Sequence, residues 1–411
     1  MKRLLLLWLA GSALLFAAED LKTLLDAAAK NELVGAYEAQ AEAARLLQQS
    51  VRASYLPRVD VGASASYLDK TGSIDVKESY SAYAKASLTL FDGFKRENLL
   101  EEREALSRVN EAELGQYRKE LSLQVTRSYF ELLNLRGDID AQIQRRTQLE
   151  EQLGRQERFL EARIATEEEV ERIKAAVANA DYQIANLRYR ADEQRATLFE
   201  LTGLQVADPA ENRFKIPQYG ASVEPDAIRA MRQQSRALEA SARQSTASYY
   251  PTVAVEDTYS FYDYEGEPAS FPVERAKEQN RLMLSLSMSL LDFSAASKQK
   301  EALQAERLAL ERKIAYETKR SDTGVKLAIR SIERARALIQ AAEQSLAASG
   351  KTLDSVTKKY RARVVDYVNY LDALYEHTDA MAQYNRAKNT LQSAYAQYYY
   401  DAGYDLKEFL Q

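Results

Sequence analysis

Cysteine is absent from the 411-residue chain, and histidine occurs only once, as His377. Without cysteine the chain has no disulfide, no thiolate metal site and no lipidated N-terminal cysteine. A single histidine leaves no second imidazole to complete a metal site or a catalytic set. We therefore expect no metal, no cofactor and no enzyme activity.

Proline is scarce and unevenly placed. None of the seven prolines falls in residues 94–203 or 274–411, and both spans are rich in Ala, Leu, Glu, Arg and Gln. Because proline interrupts helices and these residues favour them, the two spans are predicted to be long helices. A single helix over residues 94–160 would reach roughly 100 Å at 1.5 Å per residue.

Long apolar runs are confined to the N-terminus, where Met1-Lys2-Arg3 precedes "LLLLWLAGSALLFA". This pattern predicts a secretory signal peptide over residues 1–18, cleaved after Ala17 or Ala18; the alternative is a retained membrane anchor. Without Lys2 and Arg3, 54 basic residues remain against 61 acidic ones, a net charge of −7. That balance argues against nucleic acid as a partner.

The sequence repeats itself. "SYLPRVDVGASASY" at residues 54–67 and "SYYPTVAVEDTYSF" at residues 248–261 share one frame, 194 positions apart. Farther along, the offset is a constant 200, so that Asp92 matches Asp292 and Gly203 matches Gly403. We expect a first repeat over residues 19–203, a linker over 204–226 and a second repeat over 227–411. Each repeat is expected to hold a helix, a strand pair (about 57–91 and about 251–291) and a long helix pair (94–203 and 293–403).

A seam of residues at alternating steps of three and four runs through the first helix pair. Its 3.5-residue period, sustained over four heptads, predicts a coiled coil. Shifted by 200 positions, the seam recurs with smaller residues. The first seam consists of Val170, Ile173, Val177, Ala180, Ile184, Leu187, Ala191, Gln194, Leu198 and Leu201, and the second of Tyr370, Ala373, His377, Ala380, Tyr384, Ala387, Leu391, Ala394, Tyr398 and Asp401.

Four segments of about ten residues alternate between apolar and polar side chains: residues 58–67, 80–90, 252–261 and 281–290. Asp257 interrupts the apolar side of the third segment. Ten residues is the length that a tilted strand needs to cross a bilayer, and aromatic residues cluster at both ends of the segments, as in membrane barrels. Membrane strands are therefore predicted, although hairpins of a soluble sandwich would alternate in the same way.

Four strands cannot close a barrel, and an open sheet edge in lipid leaves backbone groups unsatisfied. The chain is therefore expected to assemble. Two copies would give eight strands, and three copies would give twelve, which leaves room for a lumen.

Together with the repeats, the motif "LFDGFKRENL" at residues 90–99 makes the chain resemble the TolC family of outer-membrane efflux proteins. The resemblance covers nearly all of the chain after the signal peptide. It implies a mainly α fold with membrane β-strands: four strands per protomer, a twelve-stranded β-barrel shared by a homotrimer, and coiled-coil helices that form a periplasmic α-barrel. It also implies residence in the cell outer membrane, in contact with its lipid, and two partners, a periplasmic adaptor (membrane fusion protein) and an inner-membrane transporter.

The resemblance further implies adaptor docking at two helix–turn–helix tips, "LEARIATEEEVERI" (160–173) and "YRARVVDYVNYLDA" (360–373). Arg163 and Arg363 replace the glycine of the family's tips, so the docking residues are expected to be Arg163, Ile164, Arg363 and Val364. Glycine takes positive φ freely, whereas arginine brings a charged fork. We therefore expect an adaptor whose hairpin tip is acidic.

A periplasmic gate is also implied by the resemblance, with Tyr360 as the aromatic residue of one tip and Glu169 as the acid of the other. Val365 stands where the family has an arginine, so part of that latch is missing. Asp372 matches one carboxylate of the family's entrance ring and Asn369 takes the other position; three Asp372 side chains around a threefold axis would favour cations. Alternatively, Tyr360 and Glu169 are ordinary helix-surface residues.

The leading prediction is a duct with porin activity in a tripartite efflux or secretion system, conducting drugs, metal ions or proteins passively to the exterior. The alternative is a structural coiled-coil tether of the envelope that conducts nothing. An adaptor is a third possibility, but adaptors carry one hairpin inside β domains instead of two equal halves.

Overall fold

A computed structural model describes residues 20–70, 75–220, 222–265 and 275–411. The predicted signal peptide lies outside the described residues. The elements in chain order are α1 (Leu21–Ala28), α2 (Glu32–Ala53), β1 (Arg58–Tyr67), β2 (Glu78–Asp92), α3 (Lys95–Glu161), α4 (Glu167–Thr202), α5 (Asp226–Ser245), β3 (Thr252–Glu265), β4 (Glu278–Ser287), α6 (Ala295–Arg361) and α7 (Tyr367–Asp401). Mostly helical content with four antiparallel strands confirms the predicted fold class.

The proline-free spans form the long helices expected of them. Both α3 and α6 run for 67 residues, which is roughly 100 Å at 1.5 Å per residue. The repeat-related glycines Gly203 and Gly403 follow α4 and α7 with φ values of 71° and 83°. A glycine in this left-handed conformation is a common end to a helix. No helix among the described residues is long and apolar enough to cross a membrane.

The predicted coiled-coil seams are confirmed by burial. Every seam position of α4 and of α7 is buried or half-buried. In α4 most positions between them are exposed, whereas α7 also buries residues outside the seam, such as Leu374 and Tyr395. In α4 the most completely buried seam residues are Ile173, Ala180 and Leu198. The 3.5-residue period thus identified the packed stripe of α4 and part of the wider packed surface of α7.

The four strands form one antiparallel sheet in the order β1-β2-β3-β4. Its register places most of the polar residues of the four strands on one face, including Asp60, Lys85 and Arg281. Asp257 lies on the other, mostly apolar face, in one row with Val59, Ala86 and Leu282. The alternation predicted strand 281–290, but β4 ends at Ser287 because its partner β3 begins opposite that residue, at Thr252.

Both outer strands of this sheet have one free edge. Within the described part of the chain, β1 pairs only with β2, and β4 pairs only with β3. The side chains of β4 are exposed along its length, and those of Leu282, Leu284 and Leu286 are each at least 70% exposed. The apolar face is unfavourable in water. The two unpaired edges are unfavourable in lipid, because their backbone groups have no hydrogen-bond partners unless another strand pairs with them.

The chain divides into two compact units, each of which takes parts of both repeats. Unit 1 comprises the described residues up to Ala36 together with Gly115–Pro225 and Lys319–Gln411, and unit 2 comprises Tyr37–Leu114 and Asp226–Thr318. The repeat boundaries inferred from the sequence stay a prediction.

In unit 1 the segment predicted to be a linker packs against the C-terminus. Phe214 forms a bridge with Leu410, and the Lys215 amide donates to the Phe409 carbonyl at 2.8 Å. The Phe409 ring stacks on Tyr399 with 3.9 Å between centroids. Burial of this aromatic cluster raises the pKa of Tyr399 to about 12.

Polar pairs join α3 to α7 in unit 1. The Arg386 guanidinium donates to both carboxylate oxygens of Asp138, at 2.6 to 3.1 Å, and Asn389 Nδ2 donates to Asn134 Oδ1 at 2.9 Å. The side chain of Asp138 is 6% exposed, whereas that of Arg386 is 52% exposed. Burial raises the pKa of Asp138 more than the nearby guanidinium lowers it, and the hydrogen bond to Asp138 raises the pKa of Arg386. The directions agree with Asp138 losing more hydration than its partner.

In unit 2 one arginine fastens the junction between sheet and helix. Arg96, in the first turn of α3, donates to Asp92 Oδ2 and to the Thr89 carbonyl, both at 2.8 Å. It also donates to the Ser54 carbonyl at 3.3 Å, and its guanidinium lies 4.7 Å from the centroid of the Tyr55 ring. One side chain thereby links the end of α2, the end of β2 and the start of α3.

Candidate functional site

Two helix–turn–helix turns in unit 1 form the candidate site: turn 1 (residues 160–166) and turn 2 (residues 360–366). Each ends a 67-residue helix with the same pair of backbone hydrogen bonds. In turn 1 the Arg163 amide donates to the Leu160 carbonyl at 2.9 Å, and the Ile164 amide donates to the Phe159 carbonyl at 2.7 Å. In turn 2 the amides of Arg363 and Val364 repeat this arrangement at 3.0 and 2.9 Å. This is the Schellman motif, which satisfies the last carbonyls of a helix.

The Schellman motif places one residue in the left-handed region, and here that residue is an arginine. Arg163 has φ 60° and Arg363 has φ 58°. Residues other than glycine pay a steric penalty there, because Cβ crowds the backbone. The sequence identified these two positions as the family's glycines, and the backbone has the conformation that glycine favours.

Side-chain caps start the helices that follow the turns. Thr166 Oγ1 accepts from the Glu169 amide at 3.3 Å, and Asp366 Oδ1 accepts from the Asn369 amide at 3.0 Å. Asn369 also donates its Nδ2 to Asp366 at 2.6 Å. Glu169 and Asn369 are therefore third residues of capped helices, and the run 167–169 places three carboxylates at the positive end of the α4 dipole.

Two cation–π contacts connect the two helix–turn–helix tips. The Arg363 guanidinium carbon lies 5.0 Å from the centroid of the Phe159 ring, and that of Arg172 lies 5.7 Å from the Tyr367 ring. One contact runs from turn 2 to the end of α3, and the other from α4 to the start of α7. Both tips of the protomer are thus held side by side.

The Tyr360 hydroxyl accepts hydrogen bonds from two buried glutamines. Gln152 Nε2 and Gln156 Nε2 of α3 donate to it at 3.0 and 2.5 Å. Its ring stacks on Tyr370 with 5.2 Å between centroids, beside the buried Leu149. Burial raises the pKa of Tyr360 more than the glutamines lower it, and the charge of Glu169 adds to the increase.

The structure therefore brings Tyr360 within electrostatic reach of Glu169, but its hydrogen bonds go to the glutamines. Sequence reasoning missed Gln152 and Gln156. Their spacing could have revealed them, because residues 149, 152 and 156 follow the same steps of three and four as the predicted seams. The pattern is not apparent because glutamine is polar, whereas such seams are recognised by apolar residues.

The predicted docking residues lie exposed on the turns. The aliphatic side chains beside the two arginines are 52% exposed at Ile164 and 72% exposed at Val364. Charge distinguishes the tips: residues 155–169 carry three arginines and five glutamates, whereas residues 355–369 carry four basic residues and one aspartate. Turn 1 is therefore acidic and turn 2 basic. Asp372 is exposed farther along α7.

The polar face of the sheet is a second candidate surface. Hydroxyl pairs Ser64–Ser81 and Ser66–Ser79 bridge β1 and β2 at 2.8 Å. Lys85 Nζ lies 3.2 Å from Glu256 on the same face. A Cβ added at Gly62 would meet the Tyr83 ring at 2.6 Å, so that ring lies directly over the glycine. The face is hydrophilic and carries mostly small side chains.

His377 is half-buried on α7, with Nδ1 3.3 Å from Ser349 Oγ. Among residues 20–70, 75–220, 222–265 and 275–411, no group of three or more His, Cys, Asp or Glu side chains is placed to hold a metal ion.

Comparisons agree with this geometry. Residues 24–204 match the family model described as outer membrane efflux protein. A search of curated proteins finds no significant match.

The fold is similar to that of a membrane protein from Pseudomonas aeruginosa, with TM-score 0.82, 16% identity and 93% of each chain covered. It is also similar to the outer membrane protein VceC from Vibrio cholerae, with TM-score 0.82, 15% identity and 94% of this chain and 96% of that chain covered. The CmeC outer membrane channel from Campylobacter jejuni matches with TM-score 0.82, 13% identity and coverage of 95% and 86%.

Proposed function

We propose that this chain, of which residues 24–204 match the outer membrane efflux protein family, is one protomer of the outer-membrane duct of a tripartite efflux or secretion system. The chain resides in the outer membrane and extends into the periplasm. The matched family is described as efflux proteins, which supports a role in transport. The duct conducts passively, and its cargo is selected by the adaptor and inner-membrane pump with which it works.

One observation carries the proposal: a four-stranded sheet has one apolar face, one polar face and two open edges. Three copies joined edge to edge supply twelve strands, enough to leave a lumen. The apolar face then meets lipid and the polar face lines the passage. Backbone groups at each edge form hydrogen bonds with the edge strand of the next copy. A homotrimer satisfies all of these requirements at once.

A coiled-coil tether would use the same long helices without conducting. Single-channel recording in planar bilayers distinguishes the two, because a duct gives discrete current steps and a tether gives none. Purified protein that inserts into bilayers without any current would contradict the duct.

The turns are proposed to dock the periplasmic adaptor, with turn 2 receiving an acidic hairpin tip. The basic charge of turn 2 and the exposed Arg363-Val364 pair support this assignment. Since the chain lacks cysteine, Arg363→Cys introduces a unique thiol. We expect it to crosslink to the cognate adaptor, whereas Arg330→Cys, an exposed position elsewhere on α6, does not. Equal yields at both positions would count against docking at turn 2.

Tyr360 is proposed to hold the periplasmic end closed through its hydroxyl. Tyr360→Phe keeps the ring stacked on Tyr370 but removes both glutamine hydrogen bonds. We expect a higher open probability in planar bilayers, with Tyr182→Phe, an exposed tyrosine of α4, as the control. An open probability indistinguishable from that of the parent protein would remove Tyr360 from the gate.

Asp372 is proposed to favour cations at the entrance, as three carboxylates around one axis would. Asp372→Asn should lower the cation preference measured by reversal potential, while Asp322→Asn, an exposed aspartate of α6, should leave it unchanged. A preference unaffected by Asp372→Asn would exclude this role.

A further inference from the structure

The two strand pairs of the sheet are related residue by residue through the sequence repeat. When β1 is advanced by the offset of 194 and β2 by the offset of 200, the pair Arg58↔Ser87 becomes Thr252↔Ser287. That is the pair observed between β3 and β4, and every other pair of the two ladders follows the same rule. The offsets therefore describe the geometry of the sheet as well as its sequence.

The far end of β4 lacks the partner that β2 has. Beyond Ser87, β2 continues to Asp92 by pairing with β3 alone, because β1 begins opposite Ser87. The equivalent segment 288–292 is irregular, although its sequence continues the alternation of β4. Its apolar side chains are exposed, by 49% at Met288, 87% at Leu290 and 72% at Leu291. Segment 288–292 thus has the sequence of a strand but no strand beside it.

Asp292, at the end of this segment, also lacks the cation that its counterpart has. In the first repeat the Asp92 carboxylate accepts from Arg96 Nε at 2.8 Å. The position equivalent to Arg96 is Ala296. Asp292 accepts from backbone amides and from a tyrosine hydroxyl, but it has no ion pair among the residues that the structure describes. A half-buried carboxylate is left without a counter-charge.

We propose, on the basis of the duct of three copies, that β4 and segment 288–292 pair with β1 of the next copy in the register that β2 and β3 show within one chain. Under the repeat offsets, the observed pair Asp92↔Thr252 corresponds to Asp292 and Arg58 of the next copy. The second copy therefore supplies both the missing strand and the missing cation.

This register matches the chemistry of the two edges. It places Leu284 opposite Ala65 of the next copy on the apolar face, and Ser285 opposite Ser64 of the next copy on the polar face. A shift of one residue would bring a leucine of one face level with a serine of the other, which the pleat does not allow. A shift of two would keep the faces but separate the two charges.

Arg58 is placed to take a second partner. Its side chain is 78% exposed and donates Nε to Asp60 at 2.9 Å. Within the described part of the chain, its two terminal nitrogens have no acceptor. A guanidinium can bond one carboxylate through Nε and another through its terminal nitrogens. Arg58 of the next copy can thus do for Asp292 what Arg96 does for Asp92.

Paired cysteines test the register, because the chain has no cysteine of its own. Two neighbouring pairs are needed, since opposite residues alternate between close and wide spacing. They are Ser64→Cys with Ser285→Cys, and Ala65→Cys with Leu284→Cys. In one chain β1 and β4 lie three strand spacings apart, about 14 Å, so a disulfide can only join two copies. After oxidation in isolated outer membranes, we expect covalent dimers and trimers on non-reducing gels from at least one pair.

The matched controls are shifted by two residues on the same strands. They are Ser64→Cys with Ser287→Cys, and Ala65→Cys with Leu286→Cys, and we expect no covalent product from either. More product from the shifted pairs than from the predicted ones would overturn the register. A protein that does so and still conducts in planar bilayers would keep the duct and lose only this register.

Pairing of segment 288–292 is tested by two further cysteine pairs. They are Asp60→Cys with Ser289→Cys, and Val61→Cys with Met288→Cys. We expect disulfides between copies from at least one of them. Disulfides at the Ser285 or Leu284 position with none at residues 288 and 289 would overturn the extension of β4.

The ion pair is tested with Arg58→Gln, Asp292→Asn and the double variant. Asparagine preserves the cap of α6. Each single variant should lower the temperature at which the trimer dissociates in native electrophoresis. The double variant should be no less stable than the single ones, because its second change removes a partner already lost. Arg281→Gln, at an exposed arginine near the other end of β4, should have little effect. Additive losses from the two changes would overturn the ion pair.

Discussion

At the scale of single residues, the tips carry a backbone conformation that their side chains resist. A left-handed φ costs residues other than glycine about 1–2 kcal/mol. Arg163→Gly should remove that cost and, after the larger entropy loss of glycine, stabilise turn 1 by about 1 kcal/mol. Slower amide hydrogen exchange at Ile164, whose amide closes the turn, would show that turn 1 is stabilised.

Arg363→Gly should gain less than Arg163→Gly, because it also loses the contact between Arg363 and the Phe159 ring, worth about 0.5–1 kcal/mol. Ala162→Gly, one residue earlier in turn 1, is the control and should speed exchange, since that position has no positive φ. Faster exchange in Arg163→Gly would contradict the strain argument.

The Asp138–Arg386 pair should respond unequally to loss of its two members. Arg386→Ala leaves the buried Asp138 without its partner, at a cost of about 3–5 kcal/mol. Asp138→Ala costs less, because the half-exposed Arg386 can turn to solvent. Thermal unfolding of the two variants checks the order, and a reversed order would show that the pair is not governed by burial.

Acid should act on the same pair in a defined direction. Burial holds the pKa of Asp138 above its ordinary 3.8 in the folded protein. The folded state then binds this proton at higher pH than the unfolded state does. The contribution of the protonated Asp138 to the free energy of unfolding is therefore fully present below pH 3.8, and it is lost as pH rises through the pKa of the folded state. Stability relative to Asp138→Asn should increase as pH falls through this window, by at most about 1.4 kcal/mol per pH unit.

At the scale of elements, Arg96 is the expected weak point of the sheet–helix junction. Arg96→Ala removes three hydrogen bonds and the contact with the Tyr55 ring. Charge-assisted bonds contribute about 1.5–3 kcal/mol each. Because the three bonds share one side chain, their contributions do not simply add, and a loss of at least about 3 kcal/mol is expected. Arg96→Lys should recover little of it, because an ammonium group cannot span the three acceptors.

The matched comparison for Arg96 is Ala296, its counterpart 200 positions later. There Asp292 caps α6 through the amides of Ser294 and Ala296 without any arginine. Ala296→Gly should therefore be mild, as measured by folding yield and by denaturant midpoint. A comparable loss at both junctions would argue against a special role for Arg96.

The long elements were predictable because their signals are local. The seams of α4 and α7 follow from a period within one helix, and the strands from alternation within ten residues. The contacts between elements were not predictable. Asp138 and Arg386 are 248 positions apart, and β2 pairs with β3 across a comparable span. Gln152 and Gln156 were hidden because a polar residue in a packed seam carries no apolar signal.

The candidate site was predictable only in part. The positive φ of Arg163 and Arg363 was open to prediction, because both residues occupy the family's glycine positions and that backbone requirement is local. The partners of Tyr360 required the packing of α3 against α6, which no single stretch encodes. The roles of Glu169, Asn369 and Asp372 stay predictions.

For the whole molecule, the two faces of the sheet should tolerate charge very differently. Leu284 and Ser285 are neighbours in β4 that point to opposite faces. If the apolar face meets lipid, Leu284→Lys should cost about 2–4 kcal/mol near the middle of the membrane and reduce the trimer recovered from outer membranes.

Ser285→Lys should leave assembly intact and change ion selectivity, because its charge would enter the passage. Recovery of trimer by native electrophoresis and reversal potentials in bilayers provide the two measurements. Equal recovery of both variants would refute the assignment of the faces.

The unpaired margins of β1 and β4 have a genetic consequence. Each copy depends on both neighbours, so a subunit with one blocked margin interrupts every ring that it enters. Co-expressed in equal amounts with the normal chain, such a subunit would leave only roughly one threefold ring in eight free of it. Defects at these margins should therefore be dominant over the normal allele, whereas defects at the turns, where each subunit meets its partner separately, should be diluted by normal copies.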